Sequence, residues 1–372
     1  AYRITLKHEG FSPATQLIEI RSIVPCRLSV TLGLKPLETQ MEVSDAGTLV
    51  DTTRTSEVYT IGPQTIAEEA PSQPGRGVLN VVNAQPGWLY EANGVLHPRG
   101  SEYDVQFVVD GTPMTENRSP AFAPPIDSSD VQSMRVMTAG FPAEYGRKLG
   151  GVIEVTSPEN NPAGLHGDLD LTGGSFWSGT ADAAVFYSAG ANRFSITGDG
   201  FHTDRYLDPP VLANYTNLGN AGGFSASYER DFSNGDRLFA TFSRHTLRYL
   251  VPNELVQQQT GQRQDALQEE TSGQVRYTHA ISSNILLSIA GDVRDATALL
   301  SSNLASTPVI VSQDRGYREG YVRADLAGHH GRHDWKIGGD GIFNPVHEML
   351  QYQITDPTQF DPGTVLNPQP FS

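Results

Sequence analysis

The chain has 372 residues, of which 38% are hydrophobic and 18% charged, with 37 glycines, 24 prolines and a formal net charge of −16. That length holds two or three domains, and the low apolar and charged shares argue against a compact cytosolic enzyme. Aperiodic glycine and proline exclude collagen and fit many turns between short strands, while the negative charge repels phosphate backbones and argues against a nucleic-acid partner.

The single cysteine, Cys26, stands in "IVPCRLSV" and reads as a small buried hydrophobe; one thiol forms no internal disulfide. No apolar run reaches the roughly 18 residues of a membrane helix. A β-barrel is not excluded by this, because its strands of about 10 residues are apolar only at every second position. The chain opens on "AYRITLKHEGF", already strand-like and without a signal peptide, so the true start is expected upstream.

In chain order, residues 1–35 alternate in short runs. Tyr2, Ile4 and Leu6 share one face, and Arg3, Thr5 and Lys7 the other. That is the period of a strand with one buried side, and it predicts the back half of a small β-sandwich. Residues 36–50 are polar and read as a linker. Residues 51–160 mix both element types. "GPQTIAEEAPSQPGRGVLNVVNAQPG" predicts short helices broken by proline and glycine. Strands are expected at "YDVQFVVDG", "VQSMRVMTAG" and "GGVIEVTS", with a tight turn at Asp110-Gly111.

Beyond about residue 162, helical periodicity gives way to strict alternation. Leu165, Leu169 and Leu171 oppose His166, Asp168, Asp170 and Thr172; Phe194 and Ile196 oppose Arg193, Ser195, Thr197 and Asp199. Phe224, Ala226 and Tyr228 oppose Ser225, Ser227, Glu229 and Asp231. The pattern continues through Val275, Tyr277, Ile285, Leu287, Ile289, Val293, Trp335 and Ile337. A soluble sandwich and a membrane barrel both alternate, the one burying its apolar face and the other turning it to lipid. Connection lengths favour the barrel. Short links near 191, 233–235, 282–284 and 328–332 take turns with long ones near 203–219, 247–270 and 297–315, as periplasmic turns and extracellular loops do.

No set of residues carries enzyme chemistry. His329, His330 and His333 match no zinc spacing and read as a solvated turn. Asp168 and Asp170 lack the glycine and glutamate of a calcium loop and read as two acids on a lumen-facing strand. His97, Ser101 and Asp104 lack a nucleophile elbow. The Gly-Gly pairs at 150–151, 173–174 and 222–223 fit bulges, turns or close backbone contacts. Asn117 and Asn214 begin glycosylation sequons, which assign no function by themselves. No cofactor is expected.

"HPRGSEYDVQFVVDGTPM" followed by "IDSSDVQSMRVMTAGFPAEYGRKLGGVIEVTS" resembles the plug domain of TonB-dependent outer-membrane receptors. Arg99-Gly100 matches the turn before the first plug strand, and Asp110-Gly111 its end. Tyr145, Gly146, Gly150, Gly151, Val152 and Ile153 match the segment before the last plug strand. Residues 1–34 resemble the end of a carboxypeptidase regulatory-like domain, a carbohydrate-binding-like β-sandwich. The resemblance implies a mainly β chain: a sandwich remnant over 1–35, a linker over 36–50, an α+β plug over 51–160, and the first strands of a transmembrane barrel over 161–372. Family barrels have about 22 strands, whereas about nine fit here, so a fragment is expected. The implied function is TonB-energised uptake of a bulky ligand at the outer membrane of a Gram-negative bacterium, with TonB and outer-membrane lipid as partners. The TonB-contacting box would lie near 39–51, and ligand contacts at 89–98, 112–126 and the long outer loops. Siderophore, vitamin, oligosaccharide and peptide ligands all fit, with the sandwich tilting toward carbohydrate or peptide. The alternative is a non-transporting surface β-protein, an adhesin or a carbohydrate-binding structural module. Glu144, Arg147 and Lys148 either anchor the plug to the lumen wall or are solvated.

Overall fold

The structure, a computed structural model, describes residues 2–6, 14–18, 30, 57–69, 75–90, 96–99, 105–114, 126, 128–146, 150–157, 163–331 and 333–371. Of the first 35 residues it describes one antiparallel pair, β1 (Tyr2–Leu6) with β2 (Ala14–Ile18). Cys26, the expected linker at 36–50 and the segment proposed for TonB contact lie outside the described residues.

Residues 57–156 form a small sheet unit. Its elements are β3 (Glu57–Ile61), α1 (Pro63–Glu69), α2 (Gly77–Asn83), β4 (Trp88–Tyr90), β5 (Leu96–Pro98), β6 (Val105–Val109), β7 (Thr112–Met114), β8 (Ser133–Ala139) and β9 (Gly151–Thr156). The main sheet runs β3-β8-β9-β6-β7, with β6 parallel to β9 and the other pairs antiparallel. "VQFVV" and "GVIEVT" are nearly continuous apolar runs because both faces of the sheet are covered. One face packs Phe107, Met134, Val136, Ile153 and Val155 under Ile66, Val78, Val81 and Val82. The other packs Val108, Met137 and Val152 against Val58, Phe141 and Tyr145. Seven-residue helices are marginal alone, so α1 and α2 persist through this packing, at about 1.5–3 kcal/mol per buried aliphatic side chain.

The rest is one antiparallel wall: β10 (Gly164–Gly173), β11 (Gly179–Ala189), β12 (Asn192–Thr203), β13 (Gly219–Asp231), β14 (Arg237–Leu250), β15 (Gln264–Ser282), β16 (Ile285–Ser302), β17 (Val309–His330), β18 (His333–Phe343) and β19 (Val346–Ile354). Neighbours in sequence are neighbours in the sheet, except that β18 and β19 both pair with β17, at 320–330 and 309–317. They form one strand line broken at Asn344-Pro345, so ten strands fill nine positions. The sheet does not close.

Links at one end are 190–191, 232–236, 283–284 and 331–332; at the other they are 174–178, 204–218, 251–263 and 303–308. The alternation of short and long holds, but two long links are shorter than expected. Residues 264–270 belong to β15, 297–302 to β16 and 309–315 to β17. A six-residue helix, α3 (Leu255–Thr260), also stands where no helical period was legible. It carries a reciprocal capping box between Glu254 and Gln257 and ends at Gly261 in the left-handed region.

The two faces of the wall decide the architecture. Leu165, Val293 and Ile337 keep 71%, 69% and 68% of their surface on the outer face, whereas Arg294 and Glu319 on the inner face keep 1%. A soluble sheet has the opposite distribution; an apolar outside over a polar inside is that of a membrane barrel. The outer apolar stripe of β16 runs from Ile285 through Val293, then yields to Asp295, which pairs with Arg318 at 2.8 Å. Outward pairs Arg244–Glu269 (2.9 Å) and Arg248–Asp265 continue this charged belt. The belt marks where the wall leaves the bilayer.

Candidate functional site

Two local motifs of the sheet unit place hydrogen-bonding groups against the inner face of the wall, and Arg76 lies over the Tyr206 ring at 5.2 Å. The first is the β6–β7 hairpin. Asp110 and Gly111 have φ of 48° and 81°, which a two-residue primed turn demands and an Asp-Gly pair supplies. The Asp110 carboxylate accepts from the Ser157 N–H and Oγ at 2.9 Å each, tying the hairpin to the exit of β9. The Asp110 carbonyl accepts from the Arg276 guanidinium on β15, and Thr112 Oγ1 accepts from Gln274 two residues away on that strand. Thr112, expected near a ligand-facing apex, therefore lies against the wall.

The second motif is "AEYG". The Tyr145 N–H donates to the Pro142 carbonyl at 3.0 Å, closing a turn that sends adjacent side chains in opposite directions. Tyr145 turns back to the small sheet, where its hydroxyl donates to Glu154 of β9, itself paired with Arg135 of β8. Burial and the Glu154 carboxylate push the Tyr145 phenol well above its ordinary range. Glu144 turns to the wall and accepts from Lys336 Nζ at 2.5 Å and Arg323 at 2.6 Å. Burial raises the Glu144 carboxyl, but these two cations outweigh it and hold it below the usual carboxylate value. Arg323 also pairs with Asp325 at 2.9 Å. Glu144 thus anchors the unit to the wall. Arg147 and Lys148 lie outside the described residues.

The sequence-derived residues do not converge on one centre. Arg99 sits in a turn at φ 49°, its N–H donating to the Gly87 carbonyl at 2.7 Å and its guanidinium to Thr138 at 3.4 Å. Gly100 is outside the described residues. Gly146 meets nothing where a side chain would begin. Gly150 is buried, and a Cβ on Gly151 would stand 2.5 Å from the Trp88 indole and 3.3 Å from the Met137 carbonyl. Gln274, Arg276, Arg323 and Lys336 were not singled out from sequence. Their only local signal is their place on the polar side of alternating strands.

The other candidates fall elsewhere. His329 faces Asp334 at 2.6 Å, and His330 opposes His333 across the β17–β18 turn. Asp168 and Asp170 line the space between the unit and the wall. Asn214 donates to the Asp204 carbonyl at 2.6 Å. His97 is buried in β5; Ser101, Asp104 and Asn117 are outside the described residues. Among the described residues no group of three or more His, Cys, Asp or Glu is arranged to hold a metal, and no helix is long and apolar enough to cross a membrane.

A small mixed sheet held by polar side chains against the inner face of an antiparallel, outwardly apolar wall is the plug-and-barrel fold of TonB-dependent outer-membrane receptors, here with part of the barrel. The chain is 27% identical over 179 residues to the TonB-dependent transporter Oar of Myxococcus xanthus, a stretch that makes up 45% of this chain and 16% of that protein. Solved structures share the fold at lower identity. The unliganded ferric citrate transporter FecA gives a TM-score of 0.67 at 14% identity, covering 84% of this chain and 51% of FecA. The pyoverdine receptor FpvA of Pseudomonas aeruginosa gives 0.60 at 11%, covering 80% and 47%. The copper transporter OprC gives 0.62 at 12%, covering 83% and 50%. No protein-family model matches. The chain spans about half the length of these solved receptors and a smaller share of Oar. Fold and sequence similarity both point the same way, to TonB-dependent receptors as the proteins this chain resembles.

Proposed function

We propose that the chain is the plug and first barrel strands of a transporter that takes up a bulky ligand using energy relayed by TonB. Residues 51–160 would be the plug and 161–372 the start of the barrel. Residues 1–35 would be the end of a carboxypeptidase regulatory-like sandwich, joined through a linker at 36–50. The reading is carried by how the plug is held. Its own core is apolar, whereas among the described residues Thr112, Asp110 and Glu144 hold it to the wall through polar contacts, beside a cation–π contact of Arg76 with Tyr206. Such contacts are exchangeable with water, each worth about 1–3 kcal/mol, so a pulled plug can leave the wall without unfolding it. A structural adhesin has no use for a stopper fastened in this way.

The ligand class is a siderophore, an oligosaccharide or a peptide. The test is uptake by the gene product in its own outer membrane, measured with labelled members of each class in cells with and without TonB. Accumulation of one class that disappears with TonB is expected. Surface binding of a ligand with no TonB-dependent accumulation overturns the reading in favour of a non-transporting surface protein.

A further inference from the structure

We infer that the links 204–218, 251–263 and 303–308 are bolted by buried side-chain amides into one rigid rim, so that this arc of the outer mouth is preformed and does not fold over a ligand. The bonding stands apart from the transport reading above; what the rim does for a ligand rests on that reading.

Long links between strands are ordinarily the most mobile parts of a fold. Here each is tied to the next. Inside 204–218, the Leu207 N–H donates to Asn217 Oδ1 at 2.8 Å and Asn217 Nδ2 returns a bond to the Leu207 carbonyl at 2.6 Å. Toward 251–263, the Asn253 N–H donates to the Tyr215 carbonyl at 3.1 Å, and Thr216 Oγ1 donates to Gln258 Oε1 of α3 at 2.8 Å. Asn253 Nδ2 crosses α3 to the Gln262 carbonyl at 2.8 Å. Toward 303–308, the Thr307 N–H donates to Gln262 Oε1 at 3.0 Å. Asn303 accepts from the Arg263 N–H at 3.0 Å and donates to the Gly261 carbonyl at 2.9 Å. That link in turn holds the end of β19, where Thr355 Oγ1 donates to the Ser306 carbonyl at 2.9 Å. None of these links swings without breaking bonds to its neighbour.

Three further features point to a fixed body. Asn217, Asn253 and Gln262 keep only 3%, 1% and 4% of their surface, and buried amides destabilise a fold unless they are bonded. Thr216 has φ of 53°, an outlying value for a β-branched residue that persists only where the surroundings over-determine it. Pro209, Pro210 and Pro252 narrow the alternatives open to two of the links. The rim also meets the plug. The Tyr206 N–H donates to the Asn217 carbonyl at 3.0 Å, and its ring lies under Arg76 at 5.2 Å. A surface fixed in advance binds without an ordering cost, and the movement that transport needs falls to the plug and not to this arc.

The test is amide exchange of the gene product in outer-membrane vesicles. Leu207, Asn253, Arg263 and Thr307 should exchange slowly and at similar rates. Asn253→Ala should speed exchange in all three links together by about 10-fold, the scale of one lost hydrogen bond. Gln262→Ala should do the same from the other side, with heat-modifiable mobility reporting an intact wall. Unprotected amides in the native links, or an Asn253→Ala effect confined to 251–263, overturn the single body. For the ligand, cysteines replace Tyr215 and Asn253 in a Cys26→Ser background. These two form a β-bridge, whose Cα spacing of about 4.5–5.5 Å suits a disulfide. With labelled siderophore, oligosaccharide and peptide as probes, the oxidised protein should accumulate ligand as fast as the native one. Uptake lost on oxidation and restored by reductant overturns the preformed mouth. Slow, concerted exchange with no accumulation of any probe by the native protein supports the rim and counts against the transport reading instead.

Discussion

Glu144 and Tyr145 are consecutive and do opposite jobs, one holding the plug to the wall and the other holding the turn to the plug. Glu144→Gln keeps the shape and removes the charge, so it should weaken the attachment by about 2 kcal/mol, the scale of a hydrogen bond to a charged group. Amide exchange of 141–146 in the reconstituted protein reads this directly; unchanged protection at neutral pH would refute the anchor. The same group sets a pH response. Its carboxyl is held low in the folded state, so the attachment is complete above the ordinary glutamate range near pH 4.3 and is lost as pH falls through the folded value. Protection should drop on acidification in the native protein and change less in E144Q. Gly151 tests packing instead. A Cβ there would stand 2.5 Å from Trp88, so Gly151→Ala should destabilise the plug by about 1–3 kcal/mol, seen as a lower urea midpoint with the wall intact. The turn at Asp110-Gly111 and the odd segment around Tyr145 were visible in sequence because local geometry demands those residue types. The partners were not. Glu144 lies 179 residues from Arg323 and 192 from Lys336, and no local spacing couples positions so far apart.

At the scale of elements, strand length separates what spans the bilayer from what stands above it. About 9–11 tilted residues cross a membrane, whereas β16 and β17 have 18 and 22. The outer stripe of β16 is apolar from Ile285 to Val293; Asp295 and Thr297 interrupt it on the same face before Leu299. An arginine at Ile289 should therefore cost about 2–4 kcal/mol, and one at Thr297 about 1 or less. Outer-membrane yield and heat-modifiable mobility check this, and equal loss for both variants would place the bilayer boundary elsewhere. The same fact explains the mistaken loop lengths. Alternation is legible only where one face is apolar. In "QDALQEET" and "RDATALLSS" outward charges such as Asp265, Glu269 and Asp295 replace the apolar stripe, so extended strand above the membrane looks like loop. The break at Asn344-Pro345 escaped for a related reason: β18 and β19 continue one line along β17, which only the pairing register reveals. The helices of the plug and its three main strands were readable because proline, glycine and apolar runs bound them closely.

For the whole molecule, a stopper must be stable as a body yet weakly joined to its frame. The plug's core satisfies the first condition with two apolar layers on one sheet, and among the described residues the polar anchors at Asp110, Thr112 and Glu144 serve the second. These anchors are of two kinds. Thr112–Gln274 and Asp110–Arg276 share one hairpin and one strand, so their losses should couple, whereas Glu144 reaches different strands and should add independently. Combining Thr112→Val, Arg276→Gln and Glu144→Gln should therefore cost more attachment than any pair within the hairpin. With each anchor worth about 1–3 kcal/mol, the triple variant should release the plug for a measurable fraction of time. The wall keeps its ladder hydrogen bonds and should still migrate as a heat-modifiable species. In planar bilayers the gene product carrying all three changes should show frequent conductance steps where the native protein is quiet. A variant as quiet as the native protein would mean that contacts outside these three, such as that of Arg76 with Tyr206, hold the plug.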